Sequence, residues 1–217
     1  MRILCISDIH GELDKFKLLL NKIKYDNTKD KLILLGDYID RGYKSIETLF
    51  FVNDLIKKGA IALLGNHEEM FKFLINNNAV NNRNIIKQNG NESTIKQYNL
   101  LTDYKKKKII NIIDNLYINY VIDKYIFVHA GVNASVDLIY NTKDDFIWSR
   151  DNFIFSKSYK NKIVIFGHTP TKCINDKDTI YFDDIYKDKI GIDCGSVFGY
   201  NLACLEINNN KYKEYYV

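Results

Sequence analysis

Short apolar runs alternate with amphipathic stretches along the first third of the chain. Apolar runs rich in Ile and Leu are typical of buried strands, and apolar residues recurring every three or four positions are typical of helices. Strands are therefore predicted at 2–7, 31–36 and 60–65. Helices are predicted at 14–24, at 45–57 and from about residue 67 onwards. This alternation predicts a parallel sheet.

The remainder of the chain is predicted to contain a helical segment followed by further strands. An Asn-rich stretch and the helical patterns after it indicate a mainly helical insertion at about 76–118, within a single domain spanning 1–217. Strands are expected at 117–122 and 125–129. The short runs near the end of the chain, bounded by Asp, Asn, Gly and Lys, indicate a largely antiparallel second sheet. These runs are 163–166, 179–182, 189–193, 202–207 and 212–216.

Polar residues with carboxylate, amide or imidazole side chains follow five of the predicted strands. Asp8, Asp37 and Asn66 are evenly spaced, at the interval of one βαβ unit. The carboxyl ends of parallel strands meet at one edge of a sheet, where ligands bind in open α/β folds. All four histidines of the chain lie at these junctions, which a scattered structural population would not do. The junctions are Ser7–Gly11, Gly36–Gly42, Gly65–Glu68, Val128–Gly131 and Gly167–Thr169.

These residue types predict a site for two metal ions. Asp8 and His10 are two positions apart, so in an extended segment they lie on one side and could hold a divalent ion. Asp37 could give one oxygen to that ion and its other oxygen to a second ion. The second site would be completed by Asn66, His129 and His168. Paired ions roughly 3.5–4 Å apart hydrolyse phosphate esters by activating a bridging water.

The remaining polar side chains predict proton transfer and phosphate binding. Adjacent side chains diverge, so His67 is expected to be a general acid rather than a ligand. Asp40 would fix the tautomer of His67 and raise its pKa. Arg41 and Arg150 could each grip a phosphate oxygen.

Taken singly, polar residues of these types are usually structural. Glu68 is accordingly interpreted as a first-turn helix acid and Trp148 as a packing residue that anchors its segment. Five junctions of the same kind together make a purely structural explanation improbable.

Composition limits the classes of partner. The chain has 217 residues, 46% of them hydrophobic, and a formal net charge of +4. Its pI of about 8.6 falls short of a nucleic-acid-binding signal, and the run Lys105–Lys108 is interpreted as a solvated helix face. With no Cys-x-x-Cys pair, readable signal peptide or bilayer-length apolar run, we expect free thiols, a cytoplasmic location and no nucleic-acid or membrane partner. The sequence does not indicate an oligomeric state.

The junctions, in this order, resemble the signature blocks of calcineurin-like metallophosphoesterases. Gly36–Gly42 together with Gly65–Glu68 resembles the phosphoprotein phosphatase branch, and above all its compact lambda-type serine/threonine protein phosphatases of bacteria and phages. Gly131 departs from the pattern, because an Asp is expected there in the phage enzyme. The resemblance covers nearly the whole chain except about 76–118. Further similar blocks are Ile147–Arg150, Ile165–Pro170 and Ile192–Phe198.

The resemblance implies an α/β protein with the metallo-dependent phosphatase fold, a four-layer α/β/β/α sandwich with two central mixed sheets. It implies two divalent ions, manganese first, with iron, zinc or nickel as alternatives. One ion would be held by Asp8, His10 and Asp37, and the other by Asp37, Asn66, His129 and His168. His67 and Asp40 would form the catalytic acid pair. The phosphate-binding residues would be Arg41, Arg150 and Asn66.

The function expected from the sequence is a dinuclear metal-dependent phosphomonoesterase that acts on phosphoserine or phosphothreonine in proteins. The alternative is a hydrolase of diadenosine tetraphosphate and related dinucleoside polyphosphates, which shares the core blocks. The short chain and the block Trp148–Arg150 favour the first. A catalytically silent scaffold would usually have lost ligands, whereas every ligand position is filled here.

Overall fold

The computed structural model describes residues 2–77 and 89–217, which contain two five-stranded sheets. In chain order the strands are β1 (Arg2–Ile6), β2 (Asp30–Leu34), β3 (Ile61–Ala62), β4 (Asn119–Ile122), β5 (Tyr125–Val128), β6 (Ile163–Phe166), β7 (Tyr181–Phe182), β8 (Lys189–Gly191), β9 (Ala203–Asn208) and β10 (Lys211–Tyr216). The first sheet has the order β10-β9-β1-β2-β3 and the second the order β4-β5-β6-β8-β7.

Helices connect and cover these strands. Among the described residues they are α1 (Leu13–Lys22), α2 (Ser45–Lys57), α3 (Asn66–Asn76), α4 (Glu92–Asn99), α5 (Asp103–Asp114), α6 (Lys143–Trp148), α7 (Asp151–Ile154) and α8 (Thr171–Asn175). Two 3₁₀ turns lie at Leu138–Tyr140 and Ser196–Phe198. None of the helices within 2–77 and 89–217 is long and apolar enough to cross a membrane.

Both sheets are mixed, as expected. The parallel arrangement predicted for the first three strands is confirmed, because β1 pairs with β2 and β2 with β3 in parallel. The prediction of a largely antiparallel second sheet is wrong. Strands β9 and β10 join the first sheet through antiparallel pairing of β9 with β1, while β5, β6 and β8 of the second sheet run parallel. Only the outer pairs β4–β5 and β7–β8 of that sheet are antiparallel.

Three apolar clusters separate four layers, and the alternation of side chains along each strand assigns residues to them. On β1, Leu4 and Ile6 face α1 to α5, whereas Ile3 and Cys5 face the second sheet. On the far side of the second sheet, β5 and β6 pack against Phe146 of α6 and residues of α7. The layers are therefore helices, sheet, sheet and helices, with the apolar core of each interface removed from water.

Helices α4 and α5 occupy the described part of the segment 76–118, and residues 78–88 of that segment lie outside the described residues. The helices bury Ile95, Ile109 and Ile112 in the same cluster as α1 and α2. They therefore extend the outer helical layer of the first sheet.

Each sheet presents three parallel strands with a common carboxyl edge. The strands are β1, β2 and β3 in the first sheet and β5, β6 and β8 in the second. The backbone N–H of His168, after β6 of the second sheet, donates to Oδ2 of Asp8, after β1 of the first sheet, at 2.9 Å. Side chains following both sets of strands consequently converge on one region.

Candidate metal centre

The junctions after β1 and β2 are held together by backbone hydrogen bonds. The N–H of Asp8 donates to the carbonyl of Gly36 at 3.2 Å, and the N–H of His10 to the carbonyl of Asp37 at 2.9 Å. These bonds continue the parallel ladder beyond the strands. The two junctions are therefore one backbone unit, and the side chains of Asp8, His10 and Asp37 have fixed relative positions.

Left-handed backbone conformations concentrate at this unit. Six of the ten residues singled out in the sequence have φ between 45° and 71°, a range that L-residues adopt rarely. Such conformations persist only where the surrounding structure enforces them, and they are typical of functional sites. The six residues are Asp8, His10, Asp37, Asp40, Arg41 and His168.

His10 and the carboxylates beside it form the first cluster. The Nε2 atom of His10 lies 3.5 Å from Oδ2 of Asp37 and 4.0 Å from Oδ1 of Asp8, and all three residues are buried. The Nδ1 atom is 2.8 Å from the carbonyl of Ile39. Because a carbonyl only accepts hydrogen bonds, Nδ1 carries the proton and Nε2 presents its lone pair to the carboxylates.

The second cluster joins the two sheets. Oδ1 of Asn66 lies 2.9 Å from Nε2 of His129 and 2.9 Å from Nδ1 of His168. Oδ1 of Asp37 lies 3.4 Å from the same Nε2 atom. Asp37 therefore directs one oxygen to each cluster, as the sequence predicted for a bridging carboxylate.

The donor atoms suit divalent cations. Nδ1 of His129 lies 2.8 Å from the carbonyl of Leu35, so Nδ1 carries the proton, and burial lowers the pKa of this histidine. Its Nε2 and the Oδ1 atom of Asn66 then face each other with lone pairs only, an arrangement that a shared cation stabilises. Contacts of 2.9–3.4 Å match neighbouring ligands of an octahedral ion, which are roughly 3 Å apart for bonds of about 2.1 Å.

Charge and space in the centre also suit cations. Burial, and then the neighbouring Asp8, raise the pKa of Asp37 well above its usual value, so full ionisation of Asp37 requires positive charge beside it. A Cβ atom on Gly65 would lie 2.1 Å from Oδ1 of Asp37, and one on Gly167 2.2 Å from Oδ2 of Asp8. Two glycines therefore let the backbone approach the carboxylates from opposite sides. Among the described residues, Nε2 of His168 is buried without a hydrogen-bond partner.

His67 and Asp40 form a buried pair beside the first cluster. Nδ1 of His67 donates to Oδ2 of Asp40 at 2.7 Å, and Nε2 points towards Asp37, 3.9 Å from its Oδ2 atom. His67 offers a ligand atom within 4.8 Å of those of His10 and Asp37, so the geometry alone would also accommodate it as a ligand. Its bond to Asp40 fixes the tautomer, as the sequence predicted.

The expectation that His67 has a raised pKa is wrong. Burial, followed by the charges of Arg41 and His129, lowers the pKa of His67 well below its ordinary value. Asp40 does not reverse this, because burial raises the pKa of its own carboxyl to about 7 and leaves it less able to stabilise a cation.

The two arginines lie at the solvent side of the centre. Nη1 of Arg41 donates to Nε2 of His10, and its guanidinium lies 5.4 Å from the ring centre of Phe198. Arg150 is exposed at the start of α7. Burial, and then the charges of His129 and Arg150, lower the pKa of His168. Arg41 therefore contacts a candidate ligand directly, whereas Arg150 acts on the second cluster through its charge.

Trp148 differs from its predicted role. Its side chain is 42% exposed, so the prediction of a buried packing residue is wrong. The indole ring lies edge-to-face with His168, with ring centres 6.0 Å apart. The neighbouring departure from the family pattern has a packing reason: a Cβ on Gly131 would lie 2.5 Å from the ring of Phe153 and 2.8 Å from Ser149.

Sequence reasoning missed Glu68 as part of the site. Its carboxylate is fully buried and accepts the backbone N–H groups of Asp37, Tyr38, Ile39 and Gly65 at 2.8–3.2 Å. It thus fixes the loop that carries Asp37. Three of these bonds go to backbone groups 29–31 positions away, which leave no local pattern. Only the bond from Gly65, at the N-cap of α3, is local, and it fits the first-turn interpretation.

Asp193 and Asn91 were also missed. Asp193 follows β8 and is buried near Asp8 and Asp37, whose charges, after burial, raise its pKa. Its position directly after an apolar strand is the signal that could have found it. Asn91, just before α4, donates to Oδ2 of Asp40, a contact that the sequence does not indicate.

Comparison with solved structures shows the same fold elsewhere. A protein provisionally named diadenosine tetraphosphatase superposes with a TM-score of 0.74 at 19% identity, over 99% of this chain and 93% of that one. A serine/threonine phosphatase from Saccharomyces cerevisiae superposes with a TM-score of 0.68 at 14% identity, over 100% and 79% of the two chains. At these identities the likeness concerns the fold.

Sequence comparison finds relatives named as nucleotide hydrolases. A Bacillus thuringiensis protein, bis(5'-nucleosyl)-tetraphosphatase PrpE [asymmetrical], is 26% identical over 92% of this chain and 88% of its own length. A symmetrical bis(5'-nucleosyl)-tetraphosphatase from Aliivibrio salmonicida is 49% identical over 63 residues, which are 29% of this chain and 23% of the relative. Similarity to the first extends over nearly both chains, whereas similarity to the second is confined to about a quarter of that protein.

The family assignment rests on a match along almost the entire sequence. Residues 1–212 match the family described as calcineurin-like phosphoesterase. Two buried His/Asp clusters that share Asp37, set between two mixed five-stranded sheets, agree with a phosphoester-hydrolysing metal centre. The chain belongs to the calcineurin-like phosphoesterase family.

Proposed function

We propose that this phosphoesterase hydrolyses dinucleoside polyphosphates of the diadenosine tetraphosphate type at a dinuclear metal centre. Phosphoester hydrolysis rests on one observation, the sharing of Asp37 between two buried clusters of ligand atoms. The choice of substrate is supported by the Bacillus relative, whose similarity extends over 92% of this chain. It replaces the protein phosphatase expected from the sequence, which becomes the second candidate.

Two sets of side chains would hold the ions. The first set is Asp8, His10 and Asp37, and the second is Asp37, Asn66, His129 and His168. Bound divalent ions would lower the pKa of a water between them and neutralise charge on the phosphoryl group. Because the sets contain oxygen and imidazole donors without thiolate, we propose manganese as the ion that supports activity.

His67 is proposed to supply the proton for the leaving group. Asp40 holds its Nδ1–H at 2.7 Å, so the lone pair or proton at Nε2 faces the centre. For this step His67 would carry a second proton at Nε2. That proton would pass to the departing oxygen, while the Nδ1–H stays hydrogen-bonded to Asp40, which stabilises the doubly protonated ring, and Nε2 would take a new proton from solvent before the next turnover. A nucleotide leaves as a phosphate, which is far less basic than a serine alkoxide and needs less protonation.

Arg41 and Arg150 are proposed to bind the phosphate chain, with Asn66 contributing from its amide. Arg41 now donates to Nε2 of His10, the atom that would also bind a metal. It would therefore turn towards the phosphate when the ion is bound, and the face of Phe198 would support the guanidinium in either position. Arg150 approaches from the second sheet, so the two guanidinium groups could donate hydrogen bonds to different phosphate oxygens.

A serine/threonine protein phosphatase is the second candidate. The segment Gly36–Gly42 and the block Trp148–Arg150 favour it, because both resemble the phosphoprotein phosphatase branch. The chemistry at the metal centre would be the same. Only the group attached to the phosphate would differ, so substrate preference separates the two.

A substrate panel tests the proposal. Purified protein with manganese is assayed on diadenosine tetraphosphate, a phosphoserine peptide and p-nitrophenyl phosphate, with Asp37→Asn prepared identically to measure contaminating phosphatase. We expect kcat/KM for diadenosine tetraphosphate to exceed that for the peptide by at least about tenfold. Chromatography of the products distinguishes two ADP from ATP plus AMP. A kcat/KM that is higher for the peptide would overturn the nucleotide assignment in favour of the second candidate.

A further inference from the structure

A cavity beside the metal centre is bordered by the same tryptophan that contacts His168. Trp148 lines a cavity of about 780 Å³, and its ring lies edge-to-face with His168. Arg150 also lines this cavity while its charge acts on His168. A substrate whose phosphate lies at the metal clusters would therefore reach the cavity past Trp148 and Arg150.

The cavity wall is polar and balanced in charge. Asp145 and Asp151 oppose Arg150 and Lys157, so the lining carries no net charge. A phosphate chain gains little from such a wall, whereas an uncharged group with several hydrogen-bonding atoms can use its donors and acceptors. The remaining polar lining residues are Asn133, Ser135, Ser149, Asn152 and Ser156. A volume of about 780 Å³ lies within the ordinary range for small-molecule sites, roughly 300–1,000 Å³.

The segment carrying Trp148 is rigidly placed. Thr142 and Asp145 form a reciprocal cap at the start of α6, and Oγ of Ser149 donates to the carbonyl of Asp145 at 2.7 Å. The N–H of Ala130, next to His129, donates to the carbonyl of Phe146 at 2.7 Å. The backbone that carries Trp148 is therefore fixed, yet its large apolar ring is 42% exposed, which packing alone does not explain. Exposed aromatic rings beside phosphate-binding groups stack on bases.

We propose that the indole ring of Trp148 stacks on a nucleobase of the substrate, with the sugar and base lying in the cavity, and that this contact sets the preference for nucleotides over phosphopeptides. The proposal rests on the proposed function in so far as the base belongs to a dinucleoside polyphosphate. Carboxylates at Asp145 and Asp151 suit the exocyclic amino group of adenine, since they accept hydrogen bonds.

Fluorescence tests the contact without turnover. Trp148 is the only tryptophan in the chain, so all intrinsic tryptophan emission reports this residue. Manganese-loaded protein is titrated with AMP and, separately, with ribose 5-phosphate, which has the same phosphate and sugar but no base. Saturable quenching by AMP with little change from ribose 5-phosphate is expected. Equal responses to the two, or none to either, would overturn the stacking proposal.

Kinetics of variants test its effect on specificity. In Trp148→Ala, the ratio of kcat/KM for diadenosine tetraphosphate to that for a phosphoserine peptide without aromatic residues should fall about ten- to a hundredfold, mainly through KM. Trp148→Phe should recover much of the ratio. Tyr140→Ala, at a 69% exposed aromatic that does not line the cavity, is the matched control. An equal loss on both substrates would make Trp148 only a support for His168 and overturn the proposal.

The two proposals fail in different ways. If the wild-type protein does not hydrolyse diadenosine tetraphosphate but AMP quenches Trp148, the function is wrong and the base contact stands. If hydrolysis is rapid while AMP leaves the emission unchanged and Trp148→Ala keeps the substrate ratio, the function stands and the contact is wrong. A ratio in the wild type that favours the peptide, together with loss of peptide activity in Trp148→Ala, would assign the cavity to a peptide.

Discussion

The carboxylate of Glu68 accepts the backbone N–H of Asp37 at 2.9 Å and so holds the shared carboxylate of both clusters in place. Its Oε1 atom accepts two further N–H groups, from Tyr38 and Ile39, and Oε2 also accepts that of Gly65. Glu68 is fully buried, so these bonds have no water to replace them. A helix residue with no position in the reaction thus determines where Asp37 lies.

Glu68→Gln should therefore destabilise the protein and weaken metal binding together. One end of the amide cannot accept, which leaves two buried N–H groups unpaired, at about 1–3 kcal/mol each. We expect a loss of roughly 2–6 kcal/mol in the free energy of unfolding, measured by urea denaturation. Glu69→Gln, at the next and partly exposed position, is the matched control. Wild-type stability and metal content in Glu68→Gln would contradict the positioning role.

Metal removal should abolish activity, and the stoichiometry should be two ions per chain. Asp37 faces both clusters, so Asp37→Asn should lose most of both ions, whereas Asp8→Asn should affect mainly the first. Asparagine tolerates the left-handed backbone at these positions, so the variants keep the fold. Elemental analysis measures the number of ions bound per chain in the wild type and the two variants. Activity assays after chelation, and again after manganese is added back, measure the dependence on metal. Full activity with at most one ion per chain would exclude the dinuclear assignment.

His67→Asn should reduce kcat while leaving the metal content nearly intact. General acid catalysis contributes about 10²–10⁴ in rate, and the loss should shrink as the leaving group becomes less basic. We therefore expect the largest loss on a phosphoserine peptide and smaller losses on p-nitrophenyl phosphate and diadenosine tetraphosphate. Steady-state values of kcat for the wild type and His67→Asn on the three substrates test this order of losses. Loss of bound metal in His67→Asn would instead make His67 a ligand, which its distance from Asp37 also permits.

Arg150→Ala should raise KM and lower kcat/KM without loss of metal. A hydrogen bond between a charged donor and phosphate contributes roughly 1.5–3 kcal/mol, so the decrease should be about ten- to a hundredfold. Arg150→Lys should recover only part of it, because a point charge does not reproduce the guanidinium fork. Lys160→Ala, which removes an exposed cation outside the cavity, serves as the control. Wild-type kinetics of Arg150→Ala on all three substrates would remove Arg150 from the site.

Lys189→Met should destabilise the protein at neutral pH, and the difference should shrink in acid. The ammonium of Lys189 is fully buried, 3.1 Å from Asp183 and 2.5 Å from Asp188. Removing it leaves two buried carboxylates unpaired, which costs about 3–5 kcal/mol. Lys57→Met, at an exposed ion pair with Asp54, should cost at most about 1 kcal/mol.

The pH dependence follows from the direction of the Asp183 shift. Although burial opposes it, the hydrogen bond from Lys189 lowers the pKa of Asp183 in the folded protein. A lowered folded pKa gives stability that is present above the unfolded value of about 3.9 and is lost as the pH falls through the folded value. Lys189→Met lacks this contribution, so the stability advantage of the wild type should be full near neutral pH and should decrease as the pH falls below about 4. Urea denaturation at several pH values measures the difference in the free energy of unfolding between the wild type and Lys189→Met. A difference that does not change with pH would contradict the charge-pair explanation.

The sequence predicted the first three strands, their helices and the gathering of the candidate ligands at the strand ends, because each follows from the order of apolar and polar segments. The expectation that Asp8 and His10 share one side of an extended segment is wrong, since both residues have left-handed backbone conformations. Apolar runs ended at polar residues, and the order of elements required their carboxyl ends to meet. The placement of β9 and β10 could not be predicted this way, since a short strand carries no mark of which sheet it will join. Glu68 and Asn91 were missed for the same reason: their partners are distant in sequence and lie on the backbone or on a buried carboxylate.

The centre lies across the seam between two sheets. Asp8, Asp37 and Asn66 belong to the first sheet, whereas His129 and His168 follow strands of the second. An ion held by Asp37, Asn66, His129 and His168 would take ligands from both sheets, so movement of one sheet relative to the other would separate the ligands from that ion. The melting temperature of the whole molecule should therefore report above all how fully this second site is filled.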